Sequence, residues 1–320
     1  MTGKKTCIRI NSRLKIKTDG LSAYLFLLFA CFFAINVSGK ISASVTEGMR
    51  FAVFTIIPSA FPFMIIADLY TVYGYPERLW GLSRLITRLF GMPKCAIRAF
   101  IAGNVSGFPI GAKIASELYT GGGISKEEAE KLCAYSNNPS IPFTVSAVGF
   151  GLFGDGNIGI LLLISTYLSC IITGCIFRKQ CKEEYECREF IPDKFDLVSS
   201  IKSAGMSSLN ILFFVTAFFA LIGIIKSLTE NEALLIVSSL FLEVTSAVNT
   251  VSQANLSELM RLSLTSFALS FGSLSVMMQS SHFMKKAGLG LRNYLKIKFI
   301  QGLFSSIITI ILYGLMYILL

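Results

Sequence analysis

The chain has 320 residues, of which 53% are hydrophobic and only 15% are charged, and its mean hydropathy is +0.65. Soluble domains carry roughly 25% charged residues, so this supply is too small to cover an aqueous surface. The composition therefore excludes a soluble enzyme and predicts an all-α protein, a polytopic membrane helix bundle.

The formal net charge is +10, and the basic residues gather beside the apolar runs. Because cations near the ends of membrane segments stay cytoplasmic, this distribution predicts a cytoplasmic N-terminus rather than a nucleic-acid partner. The flanking basic residues are Lys4, Lys5, Arg9, Arg13, Lys15, Lys17, Arg178, Lys179, Lys182, Lys285, Lys286, Arg292, Lys296 and Lys298.

The chain opens with a basic cytoplasmic leader at 1–20, followed by an apolar run at 21–37. We interpret that run as a retained membrane anchor rather than a cleaved signal, because no small-x-small cleavage site follows it. The apolar region at 44–75 contains the sequence PSAFPF, whose two prolines predict a broken membrane helix. The amphipathic stretch at 77–91 is predicted to lie in the membrane interface.

The segment 96–119 is apolar at both ends but polar and kinked in the middle, which predicts a hairpin or an interrupted helix. Ser125 and Glu128 then form a capping box, which launches a helix toward a second break at 136–140. The run 157–177 is the least ambiguous membrane span, because it is long enough to cross roughly 30 Å of hydrocarbon.

The second half follows a mixed-charge loop at 178–198. Residues 209–228 and 233–248 are apolar, 262–283 are apolar with a polar centre, and 299–320 close the chain. The second half thus also contains a segment rich in serine and glycine that interrupts an apolar run.

The two halves therefore predict a single transmembrane domain, 21–320, built from two repeats at about 41–177 and about 199–320. Each repeat is expected to contain an interrupted or re-entrant helical hairpin. Paired interruptions in two halves are typical of transporters, whose binding site lies where the interruptions meet.

Polar residues and helix breakers cluster at these interruptions. An unwound stretch at membrane depth survives only where it faces protein or a water-filled cavity, because each unsatisfied backbone group costs several kcal/mol in lipid. The helix that restarts near Ile110 points its positive end at the break, which favours an anionic ligand. The substrate-binding candidates are Asn104, Ser106, Gly107, Pro109, Gly111, Asn137, Asn138, Ser140, Gly272, Ser273, Ser275 and Gln279.

Two other interpretations of these residues stay open. Glycine and serine also allow membrane helices to pack closely, and the break at 136–140 also fits an aqueous turn that caps the next helix. Glu243 is an acid inside an apolar span and is therefore a functional candidate, with Thr245 and Asn249, for coupling to a proton or Na⁺. No cofactor or metal is predicted, because His282 is the single histidine of the chain.

Four stretches carry a family resemblance: 58–63, 107–154, 240–249 and 270–279. Together they resemble the YlbJ-type sporulation integral membrane proteins. That family belongs to the nucleoside-recognition or Gate domain group, which is related to concentrative nucleoside transporters. The resemblance covers roughly residues 45–320, and the combination of GxPxGAK with SNN-P is its most specific part.

The resemblance implies a helical membrane protein with two hairpin-bearing repeats, associated with endospore formation in Firmicutes. For this family the implied solute is dipicolinate, carried across the outer forespore membrane, and a dicarboxylate suits helix N-termini that point at a cavity. The positions that match the family pattern are Gly107, Pro109, Gly111, Lys113, Asn137, Asn138, Glu243, Gly272, Ser275 and Gln279. Departures at Ser246, Ala247, Ser273 and Met277 bear on the identity of the solute.

The sequence thus predicts a transporter or permease-like protein that moves a small polar solute, either anionic or nucleoside-like. The alternative is a non-transporting membrane scaffold or assembly factor for the spore envelope. An enzyme is not expected, because no base stands beside a nucleophile in a recognisable hydrolase motif. The predicted partners are the lipid bilayer and the solute, not nucleic acid, and a homo-oligomer is left open.

Overall fold

The computed structural model describes residues 18–73, 84, 87–178 and 196–319. These residues are almost all helical, and no strand occurs among them, so the predicted all-α class is confirmed. Three predictions fall largely outside these residues: the basic leader at 1–20, the interfacial helix at 77–91 and the charged loop at 178–198.

Five helical stretches of the described residues are long and apolar enough to cross a membrane. Each residue adds about 1.5 Å to a helix, so about 20 apolar residues span the hydrocarbon core. The polytopic membrane bundle predicted from the composition therefore agrees with the structure. The five stretches are Ser38–Ile66, Gly156–Ile176, Leu197–Leu228, Glu258–Lys286 and Arg292–Met316.

Helix α1, Thr18–Asn36, belongs to a compact unit formed by residues 1–39. Its sequence is almost wholly apolar, and described side chains such as Phe29 and Phe32 are exposed. Exposed phenylalanines on an apolar helix are typical of a segment that faces lipid. The membrane anchor predicted at 21–37 falls on this helix.

The second compact unit, residues 40–320, contains the other described helices. The α-helices of the first half are α2 (Ser38–Phe51), α3 (Ile57–Tyr73), α4 (Ala96–Ser106), α5 (Ile110–Thr120), α6 (Lys126–Tyr135) and α7 (Gly156–Ile176). Between α6 and α7 lie a π-helix, Phe143–Phe150, and a single helical turn, Gly151–Phe153. Those of the second half are α8 (Leu197–Leu228), α9 (Glu232–Leu242), α10 (Val244–Gln253), α11 (Glu258–Phe271), α12 (Ser273–Lys286) and α13 (Arg292–Leu319).

The same order of elements occurs in both halves of the second unit. A long helical stretch is followed by two interrupted helices and then by one uninterrupted helix. The interrupted helices are α4–α5 and α6 with the segment after it in the first half, and α9–α10 and α11–α12 in the second. The two repeats and a symmetry relation between the halves stay predictions.

The prediction of a helix broken at Pro58 and Pro62 is wrong, because α3 runs through both prolines to Tyr73. The irregularity lies just before them, where Ala52–Ile56 form a π-helical turn. Proline removes a backbone donor and crowds the carbonyl four residues earlier, which here belongs to Phe54. We attribute the continuity of the helix to this π turn, which widens the backbone where the proline ring needs space.

Helix α13 packs against α6, α7 and α11 and separates polar from apolar side chains. Its apolar residues Leu303, Ile307 and Ile311 are exposed, as expected for a lipid-facing side. Its inward side carries buried polar residues at helical spacing, which we call the polar stripe. The polar stripe consists of Lys298, Gln301, Ser305 and Thr309.

The polar stripe of α13 takes part in helix packing, as a pair of serine hydroxyls shows. Ser305 of α13 lies 2.5 Å from Ser266 of α11, oxygen to oxygen. Helix α7 presents a matching row of fully buried hydroxyls that includes Ser165, Thr166 and Ser169. Small polar residues let membrane helices approach closely and hydrogen-bond across their interface. Helices α7, α11 and α13 therefore pack closely along one side of the bundle, next to the helix breaks.

Candidate functional site

The helical backbone is interrupted at buried residues in four places: 107–109, 136–140, Glu243 and Gly272. The breaks at 107–109, at 136–140 and in the polar centre of 262–283 agree with the sequence predictions. The break at Glu243 was missed, because the apolar pattern predicted one continuous segment over 233–248. All four breaks lie within helices of the apolar bundle, where freed backbone groups need protein or water partners.

The breaks meet at one cavity of about 40 Å³, which we call the central cavity. Three breaks contribute residues to its wall directly, and the fourth contributes through the first two turns of α12. The remaining wall is apolar and comes from α3, α8 and the segment after Ser140. The wall residues that offer polar side chains or glycine backbone are Ser106, Gly107, Ser140, Glu243, Thr245 and Gln279.

Glu243 is almost completely buried, with 1% of its surface exposed, and it occupies the break between α9 and α10. Its Oε2 accepts a hydrogen bond of 2.6 Å from the backbone N–H of Ser246, so the side chain caps α10. Its Oε1 accepts a longer bond of 3.4 Å from the hydroxyl of Ser275. Because the N-terminal end of a helix is positive, this position stabilises a carboxylate.

The other two candidates for ion coupling separate from each other. Thr245 is buried and lines the central cavity beside Glu243. Asn249 lies one turn further along α10, where its Nδ2 donates to Glu47 Oε1 at 3.1 Å. The structure therefore keeps Thr245 with Glu243 and places Asn249 at a different ion cluster, which Glu47 forms with Lys226 at 3.4 Å.

Two further helix N-termini adjoin the central cavity. Helix α5 begins at Ile110 after Pro109, and α12 begins at Ser273 after Gly272, and neither helix has a side-chain cap. Gly107 and Gly272 have φ angles of +81° and +82°, which L side chains rarely adopt, so these glycines make the reversals possible. The uncapped N-termini of helices of this length are suitable partners for an anionic group.

A second polar cluster lies on the other side of the break at 136–140. We call it the amide network, and its members are Asn104, Asn137, Asn138, Lys298 and Gln301. Asn138 is its centre, because Nδ2 donates to Asn104 Oδ1 at 2.8 Å and Oδ1 accepts from Gln301 Nε2 at 2.8 Å. Asn137 Nδ2 donates to Tyr294 Oη at 2.7 Å and to Ser280 Oγ at 2.8 Å.

The placement of Lys298 among cytoplasmic flanking residues is wrong. Lys298 is fully buried, one and a half turns inside α13, and its Nζ binds the break at 136–140. Its neighbour Lys296 is exposed, as a flanking cation should be. The signal that could have separated them is helical spacing, because Lys298, Gln301 and Ser305 recur every three to four residues in an otherwise apolar run.

Glycines hold the break at 136–140 against the break at 107–109. A Cβ atom added at Gly103 or at Gly111 would collide with the carbonyl oxygen of Ser136. The backbone of Ser136 therefore fits between α4 and α5 only because both positions lack a side chain. This close approach explains the role of Gly111, which was predicted to be a ligand-site residue.

The remaining predicted residues support the breaks from within. Ser273 Oγ donates to the carbonyl of Leu240 at 2.7 Å and so ties the start of α12 to α9. Pro109 occupies the N-cap position of α5. Ser275 is fully buried and reaches the central cavity only through its bond to Glu243.

Asp68 lies at a separate polar cavity of about 40 Å³ between α3, α5 and α8. Its Oδ1 accepts from Ser203 Oγ at 3.1 Å and lies 4.0 Å from Lys113 Nζ. Lys113 also donates to Ser203 at 3.3 Å. Both charged side chains are 27% exposed, so this ion pair is partly solvated and ties three helices together.

No family model matches the chain, and no solved structure matches it. Among curated proteins, the chain is 26% identical over 347 residues to the sporulation integral membrane protein YlbJ of Bacillus subtilis (strain 168). The match covers 93% of this chain and 85% of that protein. The similarity supports a YlbJ-type assignment.

The YlbJ-type motif positions divide between the two polar clusters. Gly107, Glu243 and Gln279 line the central cavity, whereas Asn137 and Asn138 belong to the amide network. Ser140 joins the clusters, because it lines the cavity and directly follows the break that Lys298 binds. Lys298 and Gln301 are the functional candidates that sequence reasoning missed.

Proposed function

We propose that this YlbJ-type chain is a membrane transporter that binds a small polar, anionic solute at the central cavity. The observation that supports the proposal most directly is the convergence of helix breaks from both halves on one cavity. Four helix breaks in an apolar bundle are costly in lipid unless they face protein or a cavity. In transporters such breaks line a shared cavity, where the solute binds.

The chemistry of the cavity wall supports an anionic solute. The helices α5 and α12 begin next to the cavity without side-chain caps: Phe108, two residues before α5, and Val276 of α12 both line the wall. Ser106, Ser140 and Gln279 add neutral polar side chains. Glu243 is the one acid of the wall. A carboxylate next to an anionic solute is repulsive, so binding and the charge of Glu243 are linked, which suits coupling to a cation or proton.

The size of the cavity indicates which conformation the structure represents. A volume of about 40 Å³ has room for a few water molecules, each of which needs roughly 10–15 Å³ on this measure. A ring-shaped dicarboxylate needs more space, so α5 and α12 must separate before such a solute binds. We therefore interpret the structure as a closed state of an alternating-access cycle.

The finer part of the proposal is dipicolinate as the solute and the outer forespore membrane as the location. Two observations support it: the similarity to a sporulation integral membrane protein and the paired helix N-termini, which match two carboxylates. A nucleoside-like solute is the competing choice. It would use the neutral donors of the wall and would leave the two N-termini without an anionic partner.

Uptake by proteoliposomes tests the proposal, with dipicolinate and uridine as alternative solutes. We expect saturable dipicolinate uptake and a loss of about tenfold or more in Gln279→Ala, because a hydrogen bond to a charged solute contributes about 1.5–3 kcal/mol. Met278→Ala is the matched control, since Met278 is the next residue of α12 and is 47% exposed.

A scaffold or assembly factor predicts a different result. It predicts no uptake of either solute by the wild-type protein, and normal sporulation of cells that carry Gln279→Ala at normal protein abundance. Uptake of uridine without dipicolinate would retain the transporter and replace the solute.

A further inference from the structure

We propose that the ammonium of Lys298 is a tethered cation that occupies a built-in monovalent-cation site at the break after α6. The inference concerns how the folded protein satisfies this break. It holds whether or not the protein moves a solute, so its test is separate from the uptake experiment.

The ligands of Lys298 are three oxygen atoms at nearly equal distances. Nζ donates to the backbone oxygen of Asn137 at 2.9 Å, to Asn138 Oδ1 at 3.0 Å and to Gln301 Oε1 at 3.0 Å. An ammonium has three N–H donors and no acceptor, so three oxygens satisfy it completely. One backbone carbonyl and two amide oxygens are also a ligand set for an alkali cation, whose hydration shell such dipoles replace.

The surrounding backbone has the electrostatics of a cation site. Helix α6 ends at Tyr135 with Ser136 as its C-cap, and the ammonium binds the next two residues, Asn137 and Asn138. The C-terminal end of a helix carries partial negative charge, which favours a cation there. In transporters, unwound carbonyls and helix C-terminal ends are the groups that coordinate a coupling ion.

The cation is not neutralised by a carboxylate. Among the residues that the structure describes, no salt bridge involves Lys298, and its hydrogen-bond partners are all neutral. A fully buried charge without a counter-ion is costly unless fixed dipoles stabilise it. The three oxygens and the helix end supply those dipoles, so the site is built for a single positive charge rather than for a lysine in particular.

The consequence is that a free monovalent cation should bind when the tether is removed. Lys298→Ala leaves the three oxygens in place and opens the space of the side chain. We expect this variant to unfold at a lower temperature than wild type in choline chloride, because choline is too large for the site. At least one of Na⁺, K⁺ and NH₄⁺ should then raise its Tm in a saturable way at constant ionic strength.

Circular dichroism of the purified full-length protein in detergent measures Tm across these salts. The wild-type Tm should not respond saturably to any of the three cations, because the site is occupied. Lys298→Met should show a low Tm without a cation response, since its side chain fills the space. Lys296→Ala removes an exposed lysine of the same helix; its Tm should fall only by the small contribution of the cation–π contact with Phe177 and should not respond to the cations.

Two results would overturn the proposal: a saturable response of the wild type, or a folded Lys298→Ala that ignores all three cations. Lys298→Ser provides a second variant with an open space. If neither small replacement folds in any of the salts, a free cation cannot replace the tethered one, and the proposal is rejected on that outcome as well.

Discussion

Glu243 and Lys298 are the two most deeply buried charged side chains of the described residues, and their surroundings differ. Glu243 borders the central cavity, and its carboxylate interacts with Ser246, Thr245 and Ser275, the last through a long hydrogen bond of 3.4 Å. Lys298 borders no described cavity and has an acceptor within 3.0 Å for each of its three donors. One charge is poised at an open space, and the other is fully enclosed.

The comparison shows that the two charged side chains have different roles. Each neutralises a helix end of opposite sign: Glu243 the N-terminus of α10, and Lys298 the C-terminus of α6. Of the two, only Glu243 lines the central cavity, where a solute or ion could reach it. We therefore expect changes at Lys298 to act mainly on stability and changes at Glu243 mainly on transport.

Lys298→Ala should have the largest effect on stability. Removing Nζ takes a donor from three buried oxygens, of which only Asn138 Oδ1 keeps another, from Gln301 Nε2. Each unsatisfied group costs about 1–3 kcal/mol, which entering water partly offsets. We expect a loss of about 3 kcal/mol in the free energy of unfolding, measured by denaturant titration in detergent with choline as the only cation. A variant as stable as wild type would contradict the claim that the three hydrogen bonds of Lys298 stabilise the fold.

Gly111→Ala should follow closely. The added methyl group would collide with the carbonyl oxygen of Ser136, and overpacking of this kind costs about 1–3 kcal/mol. Gly205→Ala is the matched control, because nothing lies within 4 Å of the new methyl group in α8 and alanine is a better helix former. The prediction fails if both variants unfold at the same denaturant concentration.

Glu243→Ala should cost about 1 kcal/mol of stability, the usual value of a lost helix cap, yet abolish solute uptake. Glu243→Gln separates charge from shape, because the amide can still accept from Ser246. If uptake needs the charge, both variants lose it; if the cap alone matters, Glu243→Gln keeps uptake near the wild-type rate. Wild-type transport in Glu243→Ala would remove this residue from the site.

Ser275→Ala should have the smallest effect, below about 1 kcal/mol, because it removes only the 3.4 Å bond to Glu243. Ser281→Ala is the control on the same helix, where the hydroxyl is bonded to Met278 within α12. A double-mutant cycle with Glu243→Ala would show coupling between Ser275 and Glu243 but none for Ser281.

The sequence predicted the places where the helices break better than it predicted which side chains meet there. Proline and glycine act locally, so the breaks at Gly107–Pro109, at Asn138–Pro139 and at Gly272 can be recognised from neighbouring residues alone. The break at Glu243 contains neither residue. It depends on the Glu243 carboxylate, which caps α10. The residues on either side of Glu243 are apolar, so the sequence resembles one uninterrupted apolar segment.

Proline is also where local reasoning failed. Pro58 and Pro62 predicted a broken helix, but α3 continues through both prolines, and the backbone is irregular just before them, in the π-helical turn at Ala52–Ile56. The amide network was missed for a different reason. Lys298 and Asn137 are 161 positions apart, and only packing of α13 against α6 brings them together.

The polar stripe of α13 also bears on how the protein enters the membrane. A lysine at the centre of a spanning helix opposes insertion by roughly 2.5–3.5 kcal/mol. Lys298, one and a half turns inside α13, carries part of that cost, and Gln301, Ser305 and Thr309 add to it. Lys298, Gln301 and Ser305 find their partners at the break after α6, on α7 and on α11, which are all synthesised earlier. During biogenesis the final segment should therefore leave the translocon against helices already in place rather than as an independent span.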